Sequence, residues 1–123
     1  MKMRKIDLTP FTIEVVVSDR DSAGGTQFRT IVQPYPLVSN VVEIVLSAKN
    51  QVTARQLLER NMVCQKLIEA ERAGQTELLL LDTEYESLKT SVENFVGLGK
   101  QDLEMVKRIL NAPQVEEANK GGE

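Results

Sequence analysis

The chain has 123 residues, of which 41% are hydrophobic and 27% charged, with 15 Lys and Arg against 18 Asp and Glu for a net charge of -3. That length suits one compact core rather than two, and the composition argues against wholesale disorder or a membrane protein. The acidic balance argues against a general affinity for nucleic acid or anionic lipid, and the absence of any histidine excludes Ser–His and Cys–His catalysis within the chain.

A lone Cys64 forms no internal disulfide, so a reducing interior is the expected setting. Met1 to Lys5 is basic, but Asp7 and Pro10 interrupt the next residues before any continuous apolar stretch forms, and no secretory signal is readable. The longest nearly uncharged run, Ile31 to Val42, is broken by Pro34 and Pro36 and falls far short of the ~20 apolar residues of a membrane span. A soluble, unanchored protein is expected.

The first strong pattern is FTIEVVV, which sets Phe11, Ile13, Val15 and Val17 on one face and Thr12 and Glu14 on the other. That period of two predicts a half-buried strand. Ser18 to Gly25 is a cluster of turn formers, and TQFRTIV alternates again, so an antiparallel hairpin is the simplest reading. Such a hairpin needs a layer of helix or further strands on its apolar face. Pro34-Tyr35-Pro36 stiffens the chain and separates this part from the next.

Ser39 is the expected N-cap of a helix reaching about Lys49, although its β-branched residues leave a strand as the alternative. Thr53 to Gln56 has the form of a capping box, and the helix through Ala73 is expected to turn Leu57, Leu58, Cys64, Leu67 and Ile68 inward. Gly74 stands at its stop. TELLLLD is too short for a helix after Gly74 and predicts a buried strand over Glu77 to Leu81 that completes the hairpin into a three-stranded sheet. Asp82 is the expected cap of the next helix, with Tyr85, Leu88, Val92 and Phe95 at intervals of three and four. Gly97 and Gly99 close it, and a last helix from about Lys100 to Leu110 is expected to bury Leu103, Val106, Ile109 and Leu110. Residues 1–113 thus read as a single α+β domain, an N-terminal β-hairpin packed against three to four helices, and residues 114–123 as a flexible tail.

No motif supplies a catalytic, cofactor-binding or metal site. Asp19-x-Asp21 echoes a calcium loop, but Ala23 and Thr30 stand where ligands are needed, and a solvated hairpin loop is the expected reading. Gly97 to Asp102 lacks the spacing and the Ser or Thr of a phosphate-binding loop; it reads as a helix corner, with an anion site at the helix start left open. Cys64 reads as a small buried hydrophobe, and Phe11, Phe28 and Phe95 as core residues. The acids at Asp82, Glu84 and Glu86 and at Asp102 and Glu104 open helices, where negative charge complements the dipole. Lys49 to Arg72 carries five basic and three acidic residues and Glu77 to Glu93 five acidic and one basic, a layout suited to solvated faces or to attraction within or between chains.

A strand opening Lys5-Ile6-Asp7-Leu8, the helix RQLLERNMVCQKLIEA, the stretch LLLLDTEYESLK and the ending DLEMVKRILNAP together resemble short proteins encoded by tailed bacteriophages and prophages, over roughly residues 5 to 113. The resemblance implies a virion-morphogenesis context and carries no catalytic residue. The expected function is a non-enzymatic structural, accessory or assembly component that binds copies of itself or other phage proteins, in the virion or the host cytoplasm. A homo-oligomer is expected, without cofactor, membrane or nucleic acid. The alternative is a small regulator that binds a host protein or nucleic acid through the basic 55–72 helix, and an enzyme using Cys64 or a carboxylate pair is the third reading.

Overall fold

A computed structural model describes residues 2–20 and 23–116. It is an α+β fold with two antiparallel sheets and four helices. The strands are β1 (Lys2–Asp7), β2 (Thr12–Arg20), β3 (Thr26–Pro34), β4 (Glu77–Leu81) and β5 (Gln114–Glu116), and the helices are α1 (Leu37–Val45), α2 (Ala54–Arg72), α3 (Asp82–Glu93) and α4 (Leu103–Leu110).

The core is built on the sheet β4-β1-β5, with β1 in the middle and antiparallel to both neighbours. Ile6 pairs with Leu78, and Arg4 with Leu80, in the β1–β4 register. Ile6 and Leu80 are buried with Tyr85, Leu88 and Val92 of α3, Val63, Cys64 and Leu67 of α2, Val41 and Val45 of α1, and Met105 and Ile109 of α4. The strand expected over Glu77 to Leu81 therefore forms where the leucine run placed it, but it pairs with β1 and not with the hairpin. The physical reason is that β1 runs through the middle of the core sheet and takes β4 along one edge, Leu8 N–H adding a bond to Thr76 O at 2.8 Å. Along its other edge lies β5, so the tail expected to fray from Gln114 begins as a strand, with Val115 opposite Met3 and Lys5 N–H donating to Pro113 O. The expected tail over 117–123 lies outside the described residues.

Local chemistry accounts for the helix ends. Thr53 Oγ1 accepts from Gln56 N–H while Gln56 Oε1 accepts from Thr53 N–H, a complete capping box. After α2, Gly74 takes φ 73°, its N–H reaching Glu71 O and that of Gln75 reaching Ala70 O. Both bonds need the left-handed turn that glycine adopts freely. Helix α1 begins two residues ahead of Ser39, with Pro36 at its N-cap, because Leu37 and Val38 are themselves buried. Helix α3 begins at Asp82, and its third residue Glu84 caps it by accepting from Leu81 N–H.

Two helices are turned differently from expectation. In α2 the buried row is Arg60, Val63, Cys64, Leu67 and Ala70, which leaves Leu57 and Leu58 exposed. In α4 Met105 and Ile109 are buried and Leu103 is exposed. In α3, by contrast, Tyr85, Leu88 and Val92 are buried as the spacing predicts, with Phe95 packed against them. The Tyr85 hydroxyl donates to Ile109 O at 2.6 Å, tying α3 to the end of α4.

Candidate functional site

The hairpin packs against the core at its root, through Phe11 and Ile13. β2 and β3 form a sheet of their own, nine residues each, paired from Thr12–Pro34 to Arg20–Thr26. At the usual rise of about 3.4 Å per residue they make a ribbon roughly 30 Å long.

Its root is held firmly. Phe11 and Tyr35 stack with ring centroids 5.0 Å apart, and Tyr35 N–H donates to Phe11 O at 3.0 Å. The Arg108 guanidinium lies 4.5 Å from the centre of the Phe11 ring, donates to Thr9 O at 2.7 Å and to Asp7 O at 3.3 Å, and pairs through Nε with Glu104 at 2.9 Å. On the other side the Tyr35 hydroxyl donates to Asp102 Oδ1 at 2.6 Å, and Asp102 Oδ2 accepts from Gly99 N–H. Burial and that carboxylate push the Tyr35 hydroxyl up to about 12. The helix-opening acids Asp102 and Glu104 thus hold the ribbon root, and the N–H of Gly99 at that helix start is taken by the chain's own carboxylate.

Beyond the root, burial fades. Residues directly opposite in the register share a face. One face carries Ile13, Val15, Val17 and Ile31, all half-buried, with Arg29 paired to Asp19 at 2.6 Å toward the tip. Of these Ile13 packs against the core. The other face carries Val16, Phe28 and Val32, exposed at 65%, 73% and 65%. Phe28, expected in the core, is therefore a surface residue. The alternation that predicted its strand fixes which face it shares and not what covers that face.

The ribbon also offers open edges. The Tyr35-to-Phe11 bond makes that couple a hydrogen-bonded pair. Alternation along an antiparallel ladder then makes Ile13–Gln33, Val15–Ile31, Val17–Arg29 and Asp19–Gln27 bonded pairs. The backbone groups of Thr26, Phe28, Thr30 and Val32 consequently turn outward along β3, and those of Glu14, Val16 and Ser18 along β2. Near the root, Thr12 and Ile13 of β2 line a groove with Lys100, Gln101 and Leu103 of the body.

The other sequence candidates are distributed as packing and capping groups. Cys64 is fully buried, and burial pushes its thiol up to about 11. Folding therefore favours its neutral form, and this contribution to stability is lost as pH rises from about 9 towards 11. Two outcomes are expected: a thiol reagent at pH 8 modifies Cys64 only as fast as the chain unfolds, and Cys64→Ala flattens the fall in denaturation midpoint over that pH interval. Asp19 is engaged with Arg29, and Asp21 lies outside the described residues. Asp82 pairs with Arg4 at 3.8 Å, whereas Glu84 pairs with Lys66, joining the basic α2 to the acidic α3 within one chain. Among the described residues, no three His, Cys, Asp or Glu side chains gather as metal ligands would, and no helix is long and apolar enough to cross a membrane. Comparison with known protein families, with curated proteins and with solved structures returns no match.

Proposed function

We propose that this protein is a non-enzymatic interaction component that docks through its β2–β3 ribbon, onto copies of itself or onto other proteins of a bacteriophage particle or its assembly. The carrying observation is the pairing of a fixed root with an uncovered face: Arg108, Tyr35 and Asp102 anchor a ribbon whose Val16, Phe28 and Val32 face water. A two-stranded ribbon is marginal alone, and further strands or a partner surface over its apolar residues would stabilise it. The phage context rests on the resemblance over residues 5 to 113.

The alternative, binding through the basic 55–72 helix, gains no support from the geometry. Arg60 is buried, and Lys66 is engaged by Glu84, which leaves Arg55 and Arg72 as separated exposed cations. Without a cluster of free cations, phosphate contacts do not accumulate.

The test is light scattering on a sizing column together with capture from phage-producing cells, for the wild type and for a triple variant Val16→Ser, Phe28→Ser, Val32→Ser. Self-association, or retention of virion proteins, is expected for the wild type and is lost in the triple variant with the helical signal unchanged. A wild type that stays monomeric at high concentration and retains no virion protein contradicts the reading.

A further inference from the structure

Resting on the ribbon-docking reading, we propose that the occupant of the open β3 edge is β3 of a second copy, antiparallel, with Thr30 opposite Thr30 on a two-fold axis. The β2 edge is the poorer choice. It carries Glu14 and Arg20, and its root end lies against the body. Charged residues of that kind protect a strand edge from pairing. The β3 sequence TQFRTIVQP carries a single charge, Arg29, which Asp19 of the same ribbon already neutralises.

The register follows from hydrogen bonding and charge. Outward backbone groups belong to the even-numbered residues of β3, so even must meet even. Centring on Thr30 overlaps the whole strand, Thr26 opposite Pro34 at each end, where a proline without an N–H does least harm. It sets Phe28 of each copy opposite Val32 of the other, an aromatic and β-branched couple that favours pairing. Arg29 then lies opposite Ile31. Sliding by one step so that Arg29 is central puts Arg29 against Arg29, a like-charge clash. Sliding the other way sets Phe28 against Pro34, which has no N–H to give. Of these three registers the full-overlap one avoids both and pairs the longest stretch of strand, and the product is a four-stranded sheet β2-β3-β3-β2 with the two domain bodies at opposite ends.

The test is sedimentation equilibrium of Thr30→Lys, of Thr30→Glu and of their equimolar mixture, with circular dichroism confirming the fold of each. Each variant alone is expected to dimerise several-fold more weakly than the wild type, because like charges face each other across the axis; the mixture is expected to recover the wild-type affinity or exceed it. A monomeric wild type overturns the proposal, as does a dimer that neither charge weakens or that mixing fails to restore. If the dimer resists both charges but dissolves in the Val16, Phe28, Val32 triple variant, the edge and register are wrong while ribbon docking stands. If it resists that variant too, both fall.

Discussion

Leu88→Ala is expected to lower the free energy of unfolding by about 3 kcal/mol, the middle of the range for removing a buried leucine. Leu88 is fully buried on α3, in the cluster with Ile6, Val41, Leu67, Leu80 and Ile109. Truncation removes three carbons from water-free contact and leaves a cavity among residues contributed by β1, β4 and three other helices, so no single element can shift to refill it. Urea unfolding measures this directly, as a lower midpoint at unchanged slope. Phe28→Ser is the counterpart: Phe28 is 73% exposed, and its loss is expected to change monomer stability by less than about 1 kcal/mol. Equal losses from the two substitutions contradict the division into a core and an outlying ribbon.

Arg108→Ala is expected to destabilise by about 2 kcal/mol, combining charge-assisted bonds with a cation–π contact. The Arg108 side chain is only 11% exposed and serves Thr9 O, Asp7 O, Glu104 and the Phe11 ring at once. These partners span the link between β1 and β2, so the loss falls at the ribbon root more than in the body. The Tyr35 amide, bonded to Phe11 O, is expected to exchange faster with solvent in the variant, while amides of β1 and β4 keep their protection. Arg108→Lys keeps the charge without the planar fork and is expected to fall between the two. Uniform loosening of root and core together contradicts an anchoring role.

Elements whose signal is local were legible in the sequence. The three-and-four spacing of Tyr85, Leu88 and Val92, the Thr53–Gln56 box and the Gly74 stop each involve residues within one or two turns of each other, and the structure places all of them as read. What depends on distant partners was not legible. The leucines of β4 announce a buried strand, but nothing local distinguishes β1 from the hairpin as its neighbour, and β1 itself, KMRKID, is largely polar. The rotation of α2 misled for a related reason: Leu57 and Leu58 outrank Arg60 in hydrophobicity, yet the row that fits against α1 and α3 runs through Arg60, Val63 and Leu67. Met105 and Leu103 exchange places on α4 in the same way.

The ribbon shows this limit most clearly. Alternation in β2 and β3 fixes the two faces, and the register confirms which residues share them, but burial of either face depends on a surface the strands must find. Ile13 finds the core, and Phe28 does not. Asp102 and Glu104, which anchor the root together with Arg108, carried a sequence signal only as charges suited to a helix dipole. The reach of Arg108 to Thr9 and of Asp102 to Tyr35 crosses most of the chain.

Docking along the β3 edge of the ribbon is tested most directly by amide hydrogen exchange along β3, monitored from dilute to concentrated protein and with virion proteins added. The amides of Arg29, Ile31 and Gln33 point into the ribbon and are expected to be protected throughout, whereas those of Phe28, Thr30 and Val32 exchange rapidly when dilute and slow together on association. Free exchange at Phe28, Thr30 and Val32 under every one of these conditions contradicts it.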